Sequence, residues 1–550
     1  MNTTSDAGSL TRRTLLAGGG VIALTAVLAS CFPAGPSQPS ASASPSPSAS
    51  PGGGGTAAPA AAELTDELIA TFDAAVIQAF EDFGLVGAAV ALFQGDEIVY
   101  NKGFGRRDLS TGESVTPNTR FRIGSNTKSM TSLLIAKYVD DGLVTWDTRI
   151  VDLWPDFVAP TPELTESLTL HRLLGMGSGL AEPETIEFFA SGGGVDAEQL
   201  LRTIPYLEVI STTYDDTYAY NNTLVAAAPY LIMLADGTDP SELEERYARD
   251  IADLVFTPIG MDDAVFASDP RPYGGEFATG YQRDLEQNAE RSPFVSIGGY
   301  GPAGMVMASS TDMARYLITQ SKSGVAPDGT VVASAENVDR THQPGVVVPP
   351  DAQNALPSLL LADTASTNYA LGWFDEIFND GQRMLWHAGG IDGFGSLMGF
   401  LPEEGIGFVA LTNYEPNIGG LFNFSVQSSF LDMLFGLNAD LPATLATVPA
   451  TLRESQSEVV ASTTAVDEGA TEPFLGLYSD GFELARGGEE LELRHDIRRM
   501  RLRATGPDEF VIMNGPSAVS GRSVALSTDA GGSRQMTIDG FPAVTWLSGD

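Results

Sequence analysis

Cysteine is almost absent from this chain. One residue, Cys31, among 550 rules out an intrachain disulfide. Lysine is nearly as scarce: Lys102, Lys128, Lys137 and Lys322 are the full complement. Four histidines, His171, His342, His387 and His495, are too scattered to gather around a metal, so no metal and no cofactor is expected. There is no Gly-x-Ser-x-Gly turn, which argues against the nucleophile elbow of an α/β-hydrolase. Basic residues number 30 against 71 acids, and a formal charge of −41 repels phosphate backbones, so a nucleic-acid partner is not expected. What remains is ample for folding. A 43% hydrophobic content and 550 residues suit two or three domains with sizeable cores.

The first 62 residues read as targeting and spacing. Arg12-Arg13 precede an apolar run from Leu15 to Leu28, and Leu28-Ala29-Ser30 leads into Cys31. The adjacent arginines are similar to a twin-arginine export signal. Leu28-Ala29-Ser30-Cys31 resembles a bacterial lipobox, whose cysteine is lipidated after cleavage. The alternative is an uncleaved apolar anchor. Either puts the remainder outside the cytoplasm, held at the outer face of the cell membrane. Residues 32–62 are almost entirely Pro, Ser, Ala, Gly and Thr, which cannot bury a core and read as a tether.

Order is expected from residue 63 onward. Ile69, Phe72, Val76 and Phe80 recur at helical spacing and stop at Gly84. Val86–Phe93 and Ile98–Tyr100 around Gly95-Asp96 predict a hairpin. Helices are predicted from Ser125 to Gly142, around 168–174, 224–234 and 241–256, and from the Ser310 cap cluster to Leu317. Strands are predicted at 371–374, 383–387, 395–400 and 407–411. Helices between flanking strands imply an α/β (α+β) domain over 63–440 whose sheet joins the first and last segments. Residues 441–470 read as a linker. Short alternating runs at 482–484, 491–493, 500–502, 510–512 and 524–526 predict a small all-β module over 471–550, dispensable for chemistry.

Ser125-Asn126-Thr127-Lys128 carries the chemical signal. Residues three apart share a helix face, so an amine would sit beside a hydroxyl, one way to activate a weak nucleophile. Desolvation favours the neutral amine that can take the serine proton. Further segments stand out beside this pair. They are Tyr218-Ala219-Tyr220-Asn221-Asn222, Trp386-His387-Ala388-Gly389-Gly390, Gly175–Leu180, and Gly301-Pro302-Ala303-Gly304. His171 reads as structural, and His342 and His495 as surface residues.

With these motifs in this order, residues 65–437 resemble the serine β-lactamase and penicillin-recognising enzymes. They are most similar to the branch of class C β-lactamases, D-alanyl-D-alanine carboxypeptidases and esterases. The resemblance implies a β-lactamase/transpeptidase-like domain, an antiparallel sheet flanked by helices with a helical subdomain. The C-terminal module looks like a small lipocalin-like β-barrel. It further implies Ser125 as nucleophile, Lys128 and Tyr220 as proton-transfer groups, and Asn222 as a substrate amide donor. Gly389 and Gly390 would let the substrate approach the strand, with the backbone N–H groups of Ser125 and Gly390 as an oxyanion hole. His387 stands where lactamases of this group usually have lysine. A lysine holds a permanent positive charge for a substrate carboxylate and histidine does so only when protonated, which weakens the case for β-lactam hydrolysis. The substrates implied are carboxylic esters, D-amino-acid peptides such as wall stem peptides, or β-lactams. A non-catalytic cell-wall sensor on the same fold is the alternative.

Overall fold

The computed structural model describes residues 63–182, 195–349, 364–437, 440–487, 490–516, 519–529 and 531–548. The expected signal, tether and Cys31 lie outside the described residues.

Helix α1 (Asp66–Phe83) starts at Thr65, whose side chain accepts the Leu68 N–H, and ends at Gly84 in the left-handed region. Strands β1 (Gly87–Gln94) and β2 (Glu97–Gly105) form the expected hairpin. Later strands complete the sheet: β3 (Val346–Val347), β4 (Thr364–Tyr369), β5 (Phe374–Phe378), β6 (Arg383–Ile391), β7 (Phe394–Leu401) and β8 (Ile406–Thr412). Among the described residues the order is β3-β4-β5-β6-β7-β8-β1-β2, antiparallel throughout, so β1 pairs with β8 across almost the whole domain sequence.

Both faces of this sheet are covered. Ala88, Val90 and Leu92 point to a core shared with α1 and with α5 (Pro416–Phe435). Ala89, Ala91 and Phe93 point to a second core. It is shared with α2 (Thr127–Asp140), α3 (Asn222–Ala235) and α4 (Ser310–Ser321). A strand packed on both sides has no polar face, which is why β1 is a continuous apolar run.

The region expected to be a linker carries helix α6 (Val448–Ser462) and short helices at Leu441–Leu445 and Glu468–Thr471. Leu441, Leu445, Val448 and Leu452, three or four apart, bury into the α1–α5 core. The expected strand at 371–374 begins only at Phe374. Gly372 sits at φ +85° against the α2 backbone, where an added Cβ would lie 2.8 Å from Ser129 Cα.

The C-terminal module is a closed antiparallel barrel. Its strands are β9 (Gly476–Tyr478), β10 (Phe482–Gly487), β11 (Glu490–His495), β12 (Arg498–Ala504), β13 (Glu509–Ile512), β14 (Ser523–Thr528), β15 (Arg534–Ile538) and β16 (Val544–Ser548). It docks on the hairpin of residues 281–291. Leu285 N donates to Met513 O at 2.8 Å, Arg501 pairs with Asp284 at 2.6 Å, and Asn514 Nδ2 donates to Glu290 at 2.7 Å.

Candidate active site

The sequence places Ser125 at a forced turn. Gly124, at φ +50°, opens a tight turn (Gly124–Asn126) that runs straight into α2. An added Cβ at Gly124 would stand 2.8 Å from Gly390 N, and one at Gly389 would stand 2.0 Å from Ile123 O. The turn and β6 therefore touch backbone to backbone, and only glycine fits. Asn126 Nδ2 donates to Ser396 Oγ at 2.7 Å, and Ser396 Oγ donates to Ile123 O at 2.7 Å, which ties the turn to β7.

The predicted pair meets. Lys128 Nζ donates to Ser125 Oγ at 2.8 Å and to Ala303 O at 2.9 Å. Lys128 is fully buried, whereas Ser125 keeps 9% exposure, enough to be reached from the cleft. Ala303 belongs to the Gly301–Gly304 turn, the small-residue segment visible in the sequence.

Tyr220 stands just before α3. Asn221 caps that helix: its side chain accepts from Leu224 N at 2.9 Å and donates to Leu180 O at 3.1 Å. Tyr220, one residue earlier, lays its ring 4.7 Å from Lys128 Nζ. Asn222 is buried in the first turn of α3. Its backbone N–H donates to the Glu182 carboxylate, which also accepts from Thr223 Oγ1 at 2.6 Å. Burial raises the Glu182 pKa, against the pull of these hydrogen bonds and of the Lys128 charge. Glu182 was not anticipated. Forty residues separate it from Asn222, and no local pattern links them.

His387 is in the cluster, and its state differs from the expectation. Only 2% of it is exposed. The Tyr369 hydroxyl lies 3.0 Å from Nε2, and Nδ1–H donates to Ala388 O at 2.6 Å. Burial, reinforced by the Lys128 charge, pushes its pKa down to about 3. At neutral pH it carries no charge, so an imidazolium–carboxylate contact does not arise. The Tyr220 ring lies 6.4 Å from it and the Tyr369 ring 5.9 Å. Tyr369 too is absent from the sequence reading, since an isolated tyrosine carries no signal of its own.

Two other histidines are also not surface groups. His342 is bonded to Gln320 at 2.8 Å and packs edge-on to Trp373, and His495 lies 4.6 Å from Phe482 and close to Asp480 O. His171 contacts Asp147 at 3.2 Å, away from the serine cluster.

The family model for beta-lactamase matches residues 72–421. An unguisins hydrolase of Aspergillus campestris is 28% identical over 64% of this chain and 64% of its own length. Penicillin-binding protein 4 of Amycolatopsis lactamdurans is 26% identical over 64% of this chain and 84% of its own length. The chain thus spans a little under two thirds of the fungal relative. Among solved structures, the octameric penicillin-binding protein homologue from Pyrococcus abyssi aligns with a TM-score of 0.57 and 19% identity. That alignment covers 86% of this chain and 99% of that one, so the likeness in fold takes in the barrel. With a family match over more than half its length, the chain belongs to the beta-lactamase family.

Proposed function

We propose that this protein is a serine hydrolase working through an acyl-enzyme on Ser125, with carboxylic esters or D-amino-acid peptides as substrates. The observation that carries it is the buried 2.8 Å contact between Lys128 Nζ and Ser125 Oγ, with the Tyr220 ring against the amine. In the reaction Lys128 must first lose its proton; Ser125 Oγ then attacks the carbonyl carbon while its own proton passes to that amine. The oxygen that becomes negative is held by the N–H groups of Ser125 and Gly390; each such donor is typically worth about 3–4 kcal/mol in the transition state. Tyr220 relays the proton to the leaving group, which departs as an alcohol or amine. Water then attacks the acyl carbon, its proton returning through the same groups, and Ser125 is regenerated. Asn222 donates to the substrate from the start of α3, and Glu182 holds that helix end in register. His387 acts by position: neutral and held by Tyr369, it stands beside the Tyr220 ring.

The uncharged imidazole favours substrates without a carboxylate next to the scissile bond, which ranks β-lactams below esters and D-amino-acid peptides. The names of the relatives, an unguisins hydrolase and a penicillin-binding protein, agree with a hydrolase reading. We place the protein outside the cytoplasm, lipidated at Cys31 and raised from the membrane by residues 32–62. Loss of lipid labelling in Cys31→Ser checks that part. A panel of p-nitrophenyl esters, D-alanyl peptides and a chromogenic cephalosporin tests the chemistry. Turnover of the first or second class, abolished by Ser125→Ala, is expected. No turnover and no labelling by a fluorophosphonate or fluorescent penicillin on folded protein would favour a binding or sensor role.

A further inference from the structure

A cleft of about 480 Å³ lies where the barrel meets the catalytic domain. Four arginines line it, Arg271, Arg291, Arg498 and Arg499, against two acids, Glu290 and Asp392. In a chain of formal charge −41 this is a local reversal of sign. Both acids are already held. Arg498 Nη2 donates to Asp392 at 2.7 Å, and Glu290 accepts from Asn514 at 2.7 Å and from Arg501 at 3.1 Å. Arg271 is committed to Asp269. Arg291 makes a 3.4 Å bond to Thr279 Oγ1 and no ion pair among the described residues. Arg499 is 65% exposed and 3.8 Å from Glu492. These two guanidinium groups have bonding capacity left for a ligand.

The cleft also holds an orphan. Ser292 lines it at 2% exposure, and its Oγ has no hydrogen-bond partner among the described residues. Behind the same wall, Arg122 is buried, donating Nη2 to Val295 O at 2.9 Å, with Nε and Nη1 lacking partners. Both groups are closed to solvent, so a ligand in the cleft reaches neither of them, and the free capacity lies with the two guanidinium groups.

The site adjoins the nucleophile. Asp392 is two residues past Gly390, in the turn that joins β6 to β7. The opposite wall, Ser292–Phe294, continues to Ile297, which with Gly124 packs on Gly304.

We propose that this cleft is a carboxylate subsite, taking an acidic group at the far end of a substrate whose scissile carbonyl lies at Ser125. Arg291 and Arg499 would hold the carboxylate. Because Arg499 belongs to the barrel and Arg291 to the catalytic domain, the barrel takes part in specificity. This rests on the hydrolase reading above. His387, being neutral, leaves charge recognition to this more distant site.

The test is selectivity. Full-length protein is assayed with p-nitrophenyl hexanoate against mono-p-nitrophenyl adipate, carboxylate on the acyl side. Phenyl butyrate is set against 4-butyryloxybenzoate, carboxylate on the leaving group. Binding of adipate alone is followed by calorimetry. We expect the anionic ester of one pair to be preferred roughly tenfold or more in kcat/KM, and Arg291→Gln/Arg499→Gln to erase that ratio. Adipate binding should be lost in the same variant and in Arg499→Glu. Equal use of charged and neutral esters, or a preference that survives the double substitution, overturns the subsite. If no ester is cleaved, the esterase half of the hydrolase reading fails by itself, and calorimetry still decides on the subsite. Adipate heat that vanishes in the variant supports the subsite, and no heat with wild type overturns it.

Discussion

The wall around Ser125 and the interior of the barrel are both buried, yet they are built from opposite materials. Phe482, Leu484, Leu491, Leu493, Met500, Leu502, Phe510 and Ile512 fill the barrel, each at 1% exposure or less. Asn126, Thr127, Lys128, Asn222, Glu182 and His387 fill the wall, all at 6% or less. Apolar burial stabilises without conditions. Polar burial is favourable only while each group keeps its partner, so the wall trades stability for a fixed arrangement of donors and acceptors. In the proposed subsite the barrel contributes only from its rim, at Arg499.

The contrast can be broken most forcefully at the nucleophile. Ser125→Ala should abolish covalent labelling and lower kcat by roughly 10⁴–10⁶-fold with the melting profile preserved. Lys128→Ala should be similarly severe. The double variant should be no slower than either single one, because the two residues act as a unit. Additive losses, read from kcat/KM, would separate them.

A core substitution in each region comes next. Leu493→Ala should destabilise the barrel by about 2–5 kcal/mol in chemical denaturation, with kcat for a neutral ester within twofold of wild type. A comparable loss of kcat would show that the barrel supports the chemical step itself. Gly389→Ala should cost about 1–3 kcal/mol and most of the activity, because its Cβ would press on Ile123 O. Gly506→Ala in the barrel, where the nearest atom to an added Cβ is 3.4 Å away at the Glu509 carboxylate, should stay within about 0.5 kcal/mol.

The last contrast is read in pH. His387 and His342 are both pushed down to about 3 by burial. Between pH 6.5 and 3 the unfolded chain therefore binds protons that the folded chain refuses. Stability is complete above 6.5 and falls as the pH is lowered, by up to about 1.4 kcal/mol per pH unit for each histidine. His342→Gln should flatten that slope by one proton in pH-dependent denaturation. An unchanged slope would mean that the ring titrates normally when folded.

The two regions also differ in how far the sequence alone discloses them. Barrel strands such as Leu491-Glu492-Leu493 alternate, because one face meets the core and the other meets water. The Ser125–Lys128 contact is legible because three residues on a helix is a local distance. Helix α5 left no stripe, since residues from Leu421 to Leu431 are buried on nearly every side. Glu182 and Tyr369 were hidden for a different reason. Their meaning comes from contacts with Asn222 and His387 across 40 and 18 residues, which no spacing rule encodes. His387 shows the same limit for chemistry: its position was readable, but its charge is set by the burial around it.

The most direct measurement of the central claim is peptide mapping by mass spectrometry after treating folded protein with a fluorophosphonate. The account predicts one adduct, on the peptide containing Ser125, lost or strongly slowed in Lys128→Ala. An adduct on another serine, or equal labelling without the lysine, would contradict it.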